Sequence, residues 1–168
     1  ESVIKLVLTL RHSARFLEVE IEITNGSKDH RLRVSFPTGI DTEYCYAGSQ
    51  FDVIKRHYTN LGDWAEYNNT QVNWGFVDVN SGTAGIAVLN QSINEYELVY
   101  QNRQAVLYYT LLRCTGYMWI PADRFMREGN YLPGNQYLGQ TIKFNLAIYP
   151  HGEYQSGQAL DLKFSSDI

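Results

Sequence analysis

The chain has 168 residues, 44% hydrophobic and 19% charged, with a formal net charge of −4. That is the length of one domain, long enough to bury a core without disulfide staples. Its Lys and Arg are scattered and leave no basic footprint for phosphates, and no apolar run approaches the roughly 20 residues that span a bilayer as a helix, so nucleic acid and membrane are both set aside as partners.

The chain opens on Glu1 rather than Met and runs at once into VIKLVLTL at 3–10, as a piece cut or processed from something longer would. Alternation with period two is the dominant signal. In RFLEVEIEIT, 15–24, Phe16, Leu17, Val19, Ile21 and Ile23 fall largely on one face and Glu18, Glu20 and Glu22 on the other. A helix would scatter those glutamates around its circumference. Asn25-Gly26 then signals a turn, and HRLRVSF at 30–36 alternates again through Leu32, Val34 and Phe36. This predicts a hairpin with a loop of about five residues, its outward Glu and Arg paired across the two strands.

The next stretch, FPTGIDTEYCYAGSQFDVIKR at 36–56, interrupts strand formers with Gly39, Asp41, Glu43, Gly48, Ser49, Gln50 and Asp52. Strands fit 43–47 and 51–55, then 72–79 (VNWGFVDV), 84–89, 95–100, 105–112 (AVLYYTLL), 141–149 (TIKFNLAIY) and 158–164, with Gly, Asn and Asp between them. The segment 113–140, with Pro121 and Pro133, is long and irregular and carries Trp119, Arg124 and Arg127. The pattern predicts an all-β fold, an antiparallel sandwich or barrel, as one domain over 1–168. The 13 Tyr, 7 Phe and 3 Trp suit a pleated, half-buried surface first and sugar- or base-stacking platforms second.

Little in the sequence points to chemistry. His12, His30, His57 and His151 fall in no close ligand pattern, and there is no G-x-S-x-G, phosphate loop or Cys–His signature. Asp52, Asp63, Glu66, Asp78, Asp123 and Glu128 lie in or near loops, where most carboxylates are simply solvated. Cys45 and Cys114 could pair, although each sits among strand-like residues where a buried free thiol is common. The sequons at Asn25, Asn68 and Asn90 fit chance, and a reducing cytoplasm is the expected compartment. Arg113 ends an apolar strand, where a buried guanidinium needs a partner. It is either a structural ion pair or an anchor for a cleft loop. Trp64 is either a packed loop aromatic or a sugar platform.

HRLRVSFPTGIDTEYCYAGSQFDVIKR at 30–56 resembles the C-terminal region of family 38 glycoside hydrolases, the α-mannosidases, and most of all their bacterial branch, which includes mannosylglycerate hydrolases. The family's A-D-S-Q-F-D-V-V-x-R is similar to Ala47, Ser49, Gln50, Phe51, Asp52, Val53 and Arg56, with Gly48 departing from the usual Asp. Trp64 and Glu66 resemble its W-x-E. Gly85 to Asn90 and Asn94 to Glu97 resemble G-L-x-V-x-N and L-P-E-Y-E, with Ser92-Ile93-Asn94 where Gly-Leu-Pro is usual. Thr110 to Gly116 resembles T-L-L-R-x-V-G, and Leu132 to Gly139 resembles T-P-x-A-Q-x-x-G, followed by a strand leading to Pro150-His151-Gly152.

The resemblance implies a large antiparallel β-sandwich of the galactose-mutarotase-like kind. It also implies that the nucleophilic Asp and the ligands of a divalent cation, usually zinc, belong to an N-terminal region of the parent enzyme. None of them maps onto this sequence, so no catalytic residue and no cofactor is assigned here. The expected role is a non-catalytic sandwich that packs on the catalytic domain of the same polypeptide and lines a cleft for a mannoside or mannose-containing glycan. Gln50, Asp52, Arg113 and Gln136 are the cleft candidates, against loop-to-loop hydrogen bonding inside the sandwich. Two other readings stand beside it. One is an independent carbohydrate-binding module using Trp64, Tyr117 and Trp119; the other is an interaction sandwich with no sugar role.

Overall fold

A computed structural model describes residues 1–58, 70–117 and 131–153. Eleven strands are present among them: β1 (Val3–Thr9), β2 (Leu17–Thr24), β3 (His30–Pro37), β4 (Tyr44–Gly48), β5 (Val53–His57), β6 (Gln71–Val72), β7 (Phe76–Asn80), β8 (Gly85–Asn90), β9 (Glu95–Gln101), β10 (Gln104–Cys114) and β11 (Thr141–His151). A 3-10 turn spans Pro133–Gln136. A seven-stranded sheet runs β1-β2-β11-β8-β7-β4-β5, and a four-stranded sheet runs β3-β10-β9-β6. All the pairings are antiparallel. The architecture is the all-β sandwich that the alternation predicts.

The core lies between the sheets. Val19, Ile21 and Ile23 of β2, Val77 and Val79 of β7, Val88 of β8 and Leu146 of β11 face Tyr96 and Leu98 of β9 and Leu107, Tyr109 and Leu112 of β10. Burying each such side chain contributes about 1.5–3 kcal/mol. The glutamates of β2 point the other way, as the alternation requires. Cys45 and Cys114 are both free and buried, and burial pushes the Cys45 thiol up to about 11.

Two strand readings are corrected. Residues 15–36 do not form a hairpin: β2 pairs with β1 and β11, while β3 pairs with β10 in the other sheet. Alternation looks the same whether a chain turns back beside itself or crosses to the facing sheet. The charges accordingly pair elsewhere, Glu22 with Lys143 of β11 and Arg31 with Glu95 of β9. Likewise, 72–79 is not one strand. β6 belongs to one sheet and β7 to the other. The crossing is pinned by Asn73, whose side chain donates to the Ile93 carbonyl and accepts from Asn90. The strand expected at 158–164 lies outside the described residues.

The outer face of the seven-stranded sheet has a second, smaller buried cluster of Phe76, Ala87, Leu89 and Ala147, with Phe16, Val53 and Tyr149 packed on it. Asp78 shares this face. It is buried mid-strand rather than in a loop, and His151 Nε2 meets its Oδ1 at 2.8 Å. Asn80 donates to the other carboxylate oxygen. The Gly152 carbonyl accepts from His151 Nδ1. To reach β7 from β11 the imidazole passes over β8 at Gly85, which pairs with both Asn80 and His151. A Cβ on Gly85 would lie 2.2 Å from the ring. Gly85→Ala is therefore expected to displace His151, leave the buried Asp78 carboxyl without its imidazole partner and cost roughly 2 kcal/mol, the scale of a buried polar group left unsatisfied, measured as a lower denaturation midpoint.

Candidate functional site

The strand registers place most of the candidate residues at one end of the sandwich. β4 ends at Gly48 beside the start of β7, and the Trp74 amide donates to the Gly48 carbonyl. The loop 49–52 and the crossing at 73–75 are therefore neighbours. β8 ends there too, with the Asn90 amide donating to the Gly75 carbonyl. In the facing sheet β10 ends at this same end, where Cys114 meets Asn25 at the close of β2.

Loop 49–52 is a tight polar turn. The Ser49 amide and hydroxyl both donate to the Asp52 carbonyl, and Ser49 Oγ accepts from the Asp52 amide. The Asp52 carboxylate caps the Val53 amide at 2.7 Å. Gln50 and Asp52 are exposed, and Phe51 between them stands 95% exposed at the tip. Trp74 next door is 55% exposed. These polar residues at a strand boundary thus form a self-bonded turn that holds out an aromatic ring.

Gln136 does a different job. It is buried, and its side chain closes on the crossing between the sheets: Oε1 accepts from the Asp29 amide and Nε2 donates to the Asp29 carboxylate at 2.6 Å. The Gly116 amide donates to the same carboxylate. Asn25, also buried, donates to the Gln136 carbonyl at 2.7 Å. The latch needs Gly116, because a Cβ there would sit 2.5 Å from Gln136 Nε2. Gln136 therefore holds the loop 131–140 against β2, β3 and β10, and reaches any cleft through that loop. The burial of Asn25 and Asn90 also closes two of the three sequons to glycosylation in the folded chain.

Arg113 is not the buried guanidinium that its strand suggests. It is exposed on the outer face of the four-stranded sheet, 3.3 Å from Glu95. Glu95 also takes Arg31 at 2.6 Å and the Thr110 hydroxyl at 2.7 Å. Two residues along the same strands, Arg33 pairs with Glu97 and lies over the Tyr108 ring. Ion pairs this exposed contribute little stability singly. The lattice fixes the rotamers of Arg113 and Arg31 beside the aromatic end.

Tyr117 is 54% exposed and packs its ring 5.0 Å from that of Tyr131. Leu132, Tyr137 and Leu138 are exposed alongside. Sequence patterning missed Phe51 and Trp74 as a pair, although the Gly-Ser-Gln-Phe-Asp spacing could have flagged Phe51 as a loop tip. Trp64 and Trp119 lie outside the described residues, as do Asp63, Glu66, Asp123 and Glu128. Among the described residues no three His, Cys, Asp or Glu side chains converge as metal ligands, and the His151–Asp78 pair is buried with its polar atoms already bonded. A groove of about 350 Å³ with mixed polar and apolar walls lies along β1, β2 and β11, lined by Val7, Arg11, Glu18, Glu20, Asn145 and Leu146, away from the candidate residues.

The comparisons with known proteins join this geometry to a family. The profile described as "Glycosyl hydrolases family 38 C-terminal domain" matches residues 1–119. The chain belongs to that family. An alpha-mannosidase from Enterococcus faecalis V583 superposes with a TM-score of 0.83 at 30% identity over 98% of the chain. A second Enterococcus faecalis structure, of a glycosyl hydrolase family 38 protein, superposes at 0.78, also with 30% identity over 98% of the chain. A Halalkalibacterium halodurans relative named "Putative mannosylglycerate hydrolase" is 30% identical over 109 residues, 65% of this chain. The chain spans 12% of that relative and 17% and 18% of the two solved structures.

The latch has a titratable reporter. Gln136 first, and the Gly116 amide second, hold the Asp29 carboxyl below its ordinary range. A depressed acid stabilises the fold above its unfolded value, and that contribution is lost as pH falls through the folded value. Gln136→Leu is expected to raise the Asp29 titration midpoint toward that of a free aspartate, followed by its side-chain carbon shift in NMR, and to flatten the acid limb of the stability curve.

Proposed function

We propose that this domain is the non-catalytic C-terminal sandwich of an α-mannosidase, packed on the catalytic domain of the same polypeptide with its aromatic end toward the substrate cleft. The observation that carries the reading is the gathering at one end of the 49–52 turn, with Phe51 held out, beside Trp74 and the Gln136-latched loop that bears Tyr131 and Tyr137, in a chain of this family. Ligand sites commonly lie at domain boundaries, formed by rigid loops with a few placed polar groups. Here Ser49 and Asp52 stiffen the loop, and Phe51 at its tip is held out to meet a sugar ring face, with exposed Gln50 beside it.

The parent enzyme, in this reading, hydrolyses α-mannosides with retention. That chemistry takes an aspartate nucleophile and an acid–base carboxyl roughly 5 Å apart, and a divalent cation, zinc by resemblance, supplies a grip on sugar hydroxyls. The described residues of this chain do not fit that cation, since no ligand cluster forms among them. Its part is to orient substrate and exclude water at the cleft rim, while bonds break on groups elsewhere. Two unpaired thiols suit a bacterial cytoplasm.

The test has two arms. The 168-residue chain is expected to release no product from an aryl α-mannoside. In the longer enzyme, Phe51→Ala together with Gln50→Ala is expected to lower kcat/KM about tenfold, ~1.4 kcal/mol of transition-state stabilisation. Unchanged kcat/KM removes the cleft role. A tryptophan fluorescence response of the 168-residue chain to free oligomannose favours an independent carbohydrate-binding module instead.

A further inference from the structure

At the end of the sandwich opposite the aromatic rim, two histidines are placed alike. β5 ends at His57 and β11 ends at His151. In each, one ring nitrogen meets the carbonyl of the next residue and the other meets a carboxylate from a different element. His151 Nδ1 lies 3.0 Å from the Gly152 carbonyl, and Nε2 lies 2.8 Å from Asp78 Oδ1. His57 Nδ1 meets the Tyr58 carbonyl, and Nε2 lies 3.0 Å from Glu43 Oε2. Their burial differs. The His151 and Asp78 side chains are 3% and 1% exposed, whereas those of His57 and Glu43 are 44% and 46% exposed.

A neutral imidazole has one N–H and one lone pair, while a carbonyl and a carboxylate oxygen only accept. A neutral ring between two such oxygens satisfies one and turns its lone pair on the other. Burial of both side chains raises the cost of that unsatisfied contact. Asp78 is the ionised partner, because Asn80 Nδ2 donates to its other oxygen at 2.7 Å and donors on both oxygens favour the carboxylate over the acid. The titratable and charged groups that the described elements bring to this side are Tyr149, Tyr46, Lys55 and Glu153. Tyr149 of β11 stacks on the imidazole at 5.7 Å, and Tyr46 of β4 stands opposite Asp78. Lys55 of β5 is opposite Tyr46, with its ammonium turned onto the Tyr44 and Tyr46 rings. Glu153 is exposed beyond the end of β11.

We propose that His151 is held as an imidazolium between Asp78 and the Gly152 carbonyl at neutral pH, and that it is a proton-operated clasp on the end of β11. The clasp spans three strands, since the ring crosses Gly85 of β8 to reach β7. When the proton passes to solvent, the ring keeps a single N–H. With that hydrogen on Nε2, the Gly152 carbonyl is released. With it on Nδ1, the Asp78 carboxylate loses a donor. One of the two ties fails in either case, so the end of β11 is held more weakly at alkaline pH. The unfolded chain gives up the same proton near about pH 6.5, the ordinary imidazole value, and protonates its aspartate near about 3.9. The clasp's contribution is therefore fully present between those values and is lost as pH rises through the titration of the folded pair. His57 repeats the arrangement in the open, where solvent screens it and the tie contributes little.

Ring-nitrogen NMR of the 168-residue chain near pH 8 tests this, with His151 told apart from the other histidines by backbone assignment. A free imidazole carries its second proton in only about 3% of molecules at that pH. His151 is expected to carry it in more than about half, a rise of at least about tenfold. Asp78→Asn is expected to return the fraction to that of a free imidazole. The urea midpoint of the unaltered chain is expected to fall between about pH 6.5 and about pH 9. Asp78→Asn flattens that limb, and His57→Gln leaves it in place. A His151 ring with a single hydrogen near pH 8 overturns the proposal, whichever nitrogen carries it. So does an alkaline limb that is the same in Asp78→Asn, or one that disappears in His57→Gln. Should Asp78→Asn not fold, the ring spectrum of the unaltered chain decides alone.

Discussion

The phenol of Tyr109 crosses the core from β10 and donates to the Val88 carbonyl of β8 at 3.1 Å, while the Asn90 side chain donates back to its oxygen. The ring is fully buried, and burial holds the hydroxyl far above its ordinary titration range, so it remains a donor. Hydrophobic contact between two sheets is non-directional and would tolerate sliding. A buried hydroxyl that must find one particular carbonyl does not. Asn90 extends the constraint, because it donates to Asn73 and accepts from the Ile93 amide. One polar chain thus fixes how β8 lies against β10, where the 73–75 crossing runs, and how the 90–93 loop closes.

Everything at the aromatic end inherits that registration. Trp74 is carried by the crossing that Asn73 pins, and its amide is tied to Gly48, the last residue before the 49–52 turn. The turn's direction is set by β4 and its exposure by the Ser49–Asp52 bonds, so Phe51 is displayed by backbone geometry rather than by side-chain packing. On the other side, Gln136 and Asn25 tie the 131–140 loop to the crossing from β2 to β3. The two halves of the rim are separate local networks held in common only by the sheets. Rigid display of aromatic rings with few conformations to lose is the cheaper way to contact a partner or a sugar.

Strand positions were legible in the sequence because burial on one face writes itself as period two. Partner choice was not. Glu18, Glu20 and Glu22 followed by Arg31 and Arg33 looked like the two sides of one hairpin, yet Glu18 turns back to Arg11, while Glu22, Arg31 and Arg33 answer strands far along the chain. The break within VNWGFVDV was hidden for a related reason: Asn73 in an apolar run signals a defect only once Asn90 and Tyr109 are seen to surround it. The His151–Asp78 pair joins residues 73 apart, and neither residue has a distinctive neighbourhood in the sequence. What could be found was the polar turn at 49–52, since Ser, Gln and Asp between strand formers have no packing reason to be there. What could not be found was that Gln136 is consumed inside the latch, while Arg113, at the end of an apolar strand, points to water.

The unequal sheets give the last step. A sandwich that stood alone would end its larger sheet in a strand with polar residues on both faces, or blunt it with charge and proline. β1 has one lysine and five large apolar residues in seven, exposed on both sides. Its partner β2 obeys the opposite rule, with glutamates outward. The contrast between neighbouring strands of one sheet is sharp: β2 buries its core residues, whereas β1, at the edge of the sheet, leaves its apolar residues exposed. The aromatic end and the bare β1 face are thus different kinds of surface. The first displays rings on rigid turns, and the second is an edge strand with apolar side chains on both faces that no other described strand covers.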